Sequence, residues 1–262
     1  MTSAQPQFIS SAANPLLKDL RRLAQDSTAY RKQGRVWLEG DHLCRAAIER
    51  GVRPALAVFA QGYWDANSVE WSLSMAGGTI VVIADALFAG LSALESPAHM
   101  GFVLELPAAA PIHATTPSVI LDRVQDAGNV GAILRCAAAF GFRQVIAIKG
   151  TAALWSPKVL RAGMGAHFSL QLVEGADPAA LEVLAVPVVA TSSHTGELLH
   201  RARLPWPCAW ALGHEGQGLS AELAARATLT VRIVQPGGEE SLNVATAAAI
   251  CLHASAAAAS MQ

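Results

Sequence analysis

Apolar residues in the second half of the chain recur in short, nearly unbroken runs. SVILD (118–122), QVIAIK (144–149), FSLQLV (168–173), PVVATS (187–192), CAWALG (208–213) and TLTVRIV (228–234) read as buried strands. Helical stretches at 129–140, 157–164, 178–185 and 241–259 separate most of them. Strands with little polar alternation, joined by helices, predict a parallel sheet covered on both faces. Ligands of such sheets bind beyond the carboxyl ends of the strands. The segments just after residues 122, 192, 213 and 234 are therefore the places to search for chemistry.

The first hundred residues give a looser pattern. A polar opening segment of helical character leads to a helix at 41–50, strands at 55–60 and 79–83, a short helix, and a strand at 101–106. Three prolines in PAAAPIHATTP, with no hydrophobic period, mark a linker. The expected organisation is an α/β domain over 1–106, a linker over 107–117 and a parallel-sheet domain over 118–262.

Composition narrows the class. The chain has 262 residues, 52% hydrophobic and 15% charged, which excludes intrinsic disorder. Alanine supplies 52 of the hydrophobic residues, so larger apolar types are present at ordinary levels. The longest apolar run, 244–259, is mostly alanine and is shorter than the ~20 residues of a membrane span. No secretory signal is visible at the start, so a cytoplasmic, non-membrane protein is expected. Cys44, Cys136, Cys208 and Cys251 are widely spaced and the eight histidines show no paired spacing, so neither a disulfide framework nor a metal site is expected.

A net charge of −1 argues against a nucleic-acid partner until it is divided. Residues 1–53 carry nine Lys or Arg and five acids, net +4, whereas 54–262 carry ten and fifteen, net −5. Lys18, Arg21, Arg22, Arg31, Lys32 and Arg35 cluster in the opening segment. They form either a solvated helix face or a phosphate-contacting arm.

Three loops carry candidate chemistry. In LDRVQDAGNVGAILRCAAAFGF (121–142), Asn129 is a good helix N-cap and Gly141 a good stop. Ile133, Leu134, Ala137 and Phe140 form an apolar stripe, while Arg135 lies between the small residues Gly131 and Ala138. That arginine is either an ordinary surface residue or a cation reaching into a crevice. In WALGHEGQGLS (210–220), a strand runs into Gly213, Gly216 and Gly218 around Glu215. Glycines there permit positive φ and close backbone approach, and the spacing is not that of a dinucleotide fingerprint. In RIVQPGGEESLNVATAAAICLHAS (232–255), Ser241 and Asn243 open a small-residue helix, where Ser241 is either a cap or a site residue.

Taken together, NVGAILR, LGHEGQGLS and SLNVATAAA resemble, in order, the three motifs of the SpoU (TrmH) family of RNA ribose 2′-O-methyltransferases in the SPOUT superfamily. SPKVLRAGMGAHFSLQLV (156–173) is similar to the family's intermediate segment. VWLEGDHLCRAAI (36–48) and HMGFVLEL (99–106) are similar, more loosely, to its ribosomal-protein-like RNA-binding domain. The resemblance implies a sheet domain closed by a C-terminal trefoil knot, S-adenosylmethionine bound in the knot, and a homodimer. It implies rRNA more than tRNA as substrate. Carried over position by position, Gly213, Ile233 and Leu242, with Leu212 and Gly218 beside them, match the cofactor-contacting set. Asn129, Arg135, Glu215, Ser241 and Asn243 match the catalytic set.

A guanidinium is a very poor base. Arg135 is therefore expected to grip a phosphate and stabilise the developing alkoxide, with the proton leaving through phosphate or water. His214, Val234-Gln235, Ala245 and Ala127 depart from the family pattern, but none removes a polar catalytic group. The rival readings are a knotted RNA-binding protein without activity and a knotted methyltransferase acting on a base.

Overall fold

A computed structural model describes residues 6–75, 78–92, 96–106, 109–237 and 241–260. Residues 1–5 of the first expected domain, Pro107 and Ala108 of the expected linker, and the last two residues of the second expected domain lie outside the described residues. The chain forms two compact units, 1–108 with 155–168, and 109–154 with 169–262. The segment 155–168, which the division at 107–117 assigned to the second domain, packs in the first unit.

The first unit runs β1 (Gln7–Ile9), α1 (Pro15–Gln25), α2 (Ala29–Gln33), β2 (Arg35–Glu39), α3 (Asp41–Glu49), β3 (Leu56–Ala60), α4 (Gln61–Ser74), β4 (Thr79–Ile83), α5 (Asp85–Ala89) and β5 (Met100–Glu105). Its sheet has the order β1-β4-β3-β5-β2, with β5 antiparallel to both neighbours and the other pairs parallel. Asn14 starts α1 by accepting from the Leu16 N–H at 2.9 Å, and Pro15 occupies the first turn. Leu17, Leu20, Leu23 and Ala24 face inward, which leaves Lys18, Arg21 and Arg22 on the outer face. The helix α4 and the strands β1 and β2 were not foreseen. The inward residues of α4 are Trp64 and Trp71, seven apart, on a helix whose remaining positions are mostly polar, so no continuous apolar stripe announces it.

The second unit runs β6 (Ser118–Leu121), α6 (Ala127–Ala139) and β7 (Gln144–Ile148); the chain then supplies α7 (Pro157–Gly163), which belongs to the first unit and packs there on α1 and β2. The second unit continues with β8 (Gln171–Ala176), a 3-10 turn at Pro178–Val183, β9 (Val188–Thr191), β10 (Glu197–Leu198), β11 (Ala209–Leu212), α8 (Ala221–Arg226), β12 (Leu229–Arg232) and α9 (Val244–Ala259). All seven strands are parallel in the order β10-β12-β9-β11-β6-β7-β8. Two expectations shift. The strand expected at 168–173 begins at Gln171 because Ala166–Ser169 forms a 3-10 turn, and the helix expected at 178–185 is itself only 3-10.

The strand order positions the site. Moving outward from β6, the chain first adds β7 and β8 on one side, then fills the other side with β11, β9 and β12. The loops leaving β9, β11 and β12 therefore emerge side by side at one end of the sheet, at the reversal of strand order where α/β sheets bind ligands. The helices α6 and α9 pack together, with Phe140 edge-on to His253 at 5.4 Å. Trp210, buried in β11, donates its indole N–H to Ser255 Oγ at 2.9 Å and fixes α9 to the sheet. Among the described residues no helix is long and apolar enough to cross a membrane.

Candidate active site

A cleft of about 600 Å³ opens at the carboxyl ends of β9, β11 and β12. Its walls are the segments 190–195 and 213–219, with Ile233 and Gln235 after β12 and Ser241 and Leu242 before α9. The segments flagged after 192, 213 and 234 all contribute. The segment after 122 does not line the cleft, but it is bonded to the loop that does.

That bonding is a relay of polar side chains. The Glu215 carboxylate accepts from the backbone N–H groups of Gln125 and Asp126 at 3.2 and 3.1 Å and from Asn129 Nδ2 at 3.1 Å. Asn129 must donate to the carboxylate, so its Oδ1 faces away and accepts from Asn243 Nδ2 at 2.9 Å. Asn243 must then use its own oxygen elsewhere, and Oδ1 caps α9 by accepting from Ala245 N and Thr246 N at 2.9 and 3.2 Å. One carboxylate thus fixes the orientation of two amides and joins three loops that lie 86 and 114 residues apart in sequence. Partial burial pushes the Glu215 carboxyl up, but the bonds from Asn129 and the backbone together outweigh it and hold the group below the usual carboxylate range. The ionised form therefore belongs to the folded state. Its contribution to stability is present above the ordinary carboxylate pKa and is lost as pH falls through the lowered one.

The loop carrying Glu215 is closed on itself. His214 and Gly218 exchange two backbone hydrogen bonds, at 3.0 and 2.8 Å. Inside the turn His214 Nδ1 accepts from Gly216 N at 3.0 Å and Gln217 N at 3.3 Å, which makes Nε2 the protonated nitrogen. Arg123 Nη1 donates to Gln217 Oε1 at 3.0 Å, and Asp122 Oδ2 accepts from Ser220 N at 2.6 Å. Asp122, Arg123, His214 and Gln217 are positioning residues, and none of them is among the expected site residues. Only His214 carried a signal, as a departure from the family pattern, and its ring supplies the acceptor that the turn needs.

The expected site residues separate into groups. Glu215, Asn129 and Asn243 are bonded together, and Gly213, Gly218, Ile233, Ser241 and Leu242 line the cleft. Leu212 does not line it: its side chain is buried and its carbonyl accepts from Asp122 N. Asn129 is not the N-cap of its helix. Asp126 caps α6 by accepting from Asn129 N at 2.7 Å, which starts the helix two residues earlier and frees the Asn129 amide for the relay. Ser241 likewise caps nothing, because Asn243 holds that position on α9. Arg135 is exposed on α6 and has no hydrogen bond or ion pair among the described residues. Six residues on from Asn129, it points about 120° away around the helix.

Replacing Asn129 with Asp tests the relay without changing its shape. Two carboxylates would then face each other where Nδ2 now donates to Glu215. Asn129→Asp is expected to lower the melting temperature by roughly 2–8 °C at pH 7, with the deficit shrinking towards pH 4.5 as one proton is shared. Thermal melts of both proteins across that pH range check it. A pH-independent deficit would count against the relay.

Comparison with known proteins is consistent along most of the chain. The family model described as the SpoU rRNA Methylase family matches residues 117–253. An uncharacterised tRNA/rRNA methyltransferase of Synechocystis sp. is 31% identical, over 94% of this chain and 92% of that protein. The 23S rRNA (guanosine(2553)-2′-O)-methyltransferase RlmP of Bacillus subtilis is 30% identical, over 94% and 97%. Among solved structures, an AdoMet-bound rRNA methyltransferase from Sinorhizobium meliloti superposes with a TM-score of 0.83 at 27% identity, covering 96% of this chain and 98% of that one. A TrmH-family RNA methyltransferase structure from Porphyromonas gingivalis gives 0.78 at 30%, covering 91% and 96%.

Proposed function

This chain belongs to the SpoU rRNA methylase family, and we propose from that premise that it transfers a methyl group from S-adenosylmethionine to a ribose 2′-hydroxyl of ribosomal RNA. The observation that carries the reading is the relay Glu215–Asn129–Asn243, set beside a cleft at the reversal of strand order.

The cleft fits the cofactor on three counts. Its volume of about 600 Å³ lies within the usual range for small-molecule sites. Gln235 Oε1, on its wall, is buried without a hydrogen-bond partner among the described residues, and a buried acceptor of this kind calls for a ligand donor. Ile233 and Leu242 offer apolar walls of the kind an adenosine ring needs. S-adenosylmethionine, when bound there, supplies an electrophilic methyl carried on a sulfonium.

The chain's own residues must then orient the ribose and manage the hydroxyl proton. The relay holds Asn129 and Asn243 at the start of α6 and α9, where their amides can orient a nucleotide. Ser241 adds a hydroxyl beside them. Arg135 has no hydrogen-bond or ion-pair partner among the described residues, so its fork of donors can take a phosphate of the RNA and charge developing on the attacking oxygen. Permanently protonated, it stabilises that charge and does not accept the proton, which leaves to phosphate or water.

Three finer features belong to the same proposal. The C-terminal segment through α9 is tied as a trefoil knot, a reading supported by the family resemblance and by the bunching of the loops after β9, β11 and β12. The enzyme works as a homodimer, supported by α9, a helix of mostly small residues that leaves Ile250 exposed between Thr246 and His253. It acts in the cytoplasm, where ribosomal RNA is made accessible and where free thiols such as the four here persist.

Mapping of 2′-O-methylated riboses in total RNA from cells with and without the gene tests the activity. Loss of one rRNA methylation is expected. Loss from tRNA instead would move the substrate, and loss of none would leave an RNA-binding protein without transfer.

A further inference from the structure

In the first unit three near-parallel rings step from the core to the surface. Phe59 lies 6.4 Å from Tyr63 with the planes at 5°, and Tyr63 lies 6.3 Å from His99 at 14°. Phe59 is buried, Tyr63 half-buried and His99 exposed, so the ladder presents an aromatic face to solvent. Tyr63 is locked in place, since its hydroxyl donates to Asp41 Oδ1 at 3.0 Å and accepts from Trp71 Nε1 at 3.4 Å.

Beside the ladder is a cavity of about 520 Å³, lined by Tyr63 and His99, by the buried Phe88 and by Asp85. Asp85 Oδ1 accepts from Gly62 N at 3.0 Å, which fixes the carboxylate and leaves Oδ2 without a partner among the described residues. The cavity thus combines stacking surface with one free, oriented acceptor.

The helix α1 adjoins it. Arg21 Nε donates to the Gly90 carbonyl at 3.1 Å and Gln25 Nε2 to the Leu91 carbonyl at 3.2 Å, directly after the Phe88–Ala89 stretch that lines the cavity. Arg21 and Gln25 share an open groove of about 380 Å³ with Lys18, Arg22 and Asp26, whose carboxylate is turned to the Thr28 N–H and hydroxyl. A row of cations at helical spacing therefore runs up to an aromatic cavity holding a free carboxylate oxygen. An unpaired nucleotide answers both halves. Its flat base stacks, an exocyclic amino group donates to a carboxylate, and the flanking phosphates take the cations. The carboxylate also repels phosphate, which keeps the backbone on the cationic row.

We propose that this cavity captures an unstacked, amino-bearing nucleobase of the substrate RNA, stacked on the Tyr63–His99 ladder and donating to Asp85, with neighbouring phosphates held by Lys18, Arg21 and Arg22. The inference rests on the reading of the chain as an RNA methyltransferase and adds a second RNA contact remote from the methyl-transfer residues in sequence.

Full-length protein and fluorescent 12-mers of oligocytidine and oligouridine, with ribosomal RNA from cells lacking the gene as a third probe, test it by anisotropy. Wild type is expected to bind oligocytidine more tightly than oligouridine, because uracil has no amino group. His99→Ala is expected to weaken RNA binding about 5- to 30-fold, and His99→Trp to restore it. Asp85→Ala is expected to abolish the preference for cytidine, and Lys18→Ala to lower the salt slope by about one. Affinity for S-adenosylmethionine by calorimetry should not move in any of them. Unchanged RNA binding in His99→Ala, failure of His99→Trp to restore it, or an unchanged cytidine preference in Asp85→Ala would overturn the base site while leaving the methyltransferase reading intact. A wild-type protein that binds none of the three probes would overturn both.

Discussion

Arg135→Ala is expected to lower the rate of methyl transfer by about 10²–10³ while leaving affinity for S-adenosylmethionine within about twofold. The expectation follows from where the side chain is and from what it does not touch. Arg135 is exposed on α6, outside the relay, and does not line the cleft. Removing it breaks no hydrogen bond or ion pair among the described residues, so fold and cofactor site should persist. An arginine with no partner among the described residues keeps its donors available to an arriving anion, and the proposed role assigns them to the RNA phosphate and the oxygen gaining charge.

The Lys variant separates charge from shape. A lysine retains the cation but loses the planar fork that grips two oxygens at once, so Arg135→Lys should recover only part of the lost rate. Single-turnover methylation of ribosomal RNA by the three proteins, with calorimetry of cofactor binding alongside, reads both quantities. If Arg135→Ala weakened cofactor binding as much as it slowed transfer, the arginine would belong to the cofactor site and its assigned role would fall. If Arg135→Ala kept full activity, no catalytic role would remain.

The parallel sheet was readable because a buried strand cannot disguise its composition. Val119–Leu121, Val145–Ile148 and Ala209–Leu212 are apolar on both faces, and only a sheet covered by helices can use such runs. Shorter or less regular elements escaped. The helix α8 covers six residues and carries one fully buried side chain, Leu223, which gives no period to detect. The two-residue strand β10 exists only because β12 offers it an edge.

The sequence named the three residues that meet in the relay, Glu215, Asn129 and Asn243, but not how they bond. Local rules assigned local jobs to Asn129 and Ser241. Asn129 and Ser241 each precede a helical run, so capping was the natural reading. Asp126 and Asn243 hold those caps instead. What decided the matter is a carboxylate on a loop 86 residues away, and no local rule can see a partner at that separation. The same limit applies to Leu212. The family resemblance put it with the cofactor contacts, but pleating turns its side chain into the core.

Gly213 gives the sharpest case, because the sequence offered two reasons for its glycine and the structure supplies a third. Its φ is not positive, so conformational freedom is not what the position needs; of the three glycines in the loop only Gly218 is left-handed, at φ 66°. A Cβ on Gly213 would instead stand 2.2 Å from Gly218 C and 2.4 Å from Leu219 N. Both are backbone atoms, so no rotamer change relieves the clash. The loop would have to lift off the end of β11, separating the His214–Gly218 hydrogen-bonded pair and displacing Glu215 from Asn129. Gly213→Ala is therefore expected to cost about 2–4 kcal/mol, or roughly 4–16 °C in melting temperature, and to weaken S-adenosylmethionine binding by at least about 100-fold as some 3 kcal/mol of cleft geometry is lost. Two neighbours serve as controls. A Cβ on Gly216 meets only His214 ring atoms at 3.9 Å, and one on Gly218 meets nothing within 4 Å. Gly216→Ala should be nearly silent, and Gly218→Ala should lose only the ~1–2 kcal/mol of a left-handed alanine. Melting curves and calorimetric titrations of the three variants check the ranking. If Gly218→Ala proved more damaging than Gly213→Ala, backbone conformation would be the governing constraint and the close approach of strand and loop would not.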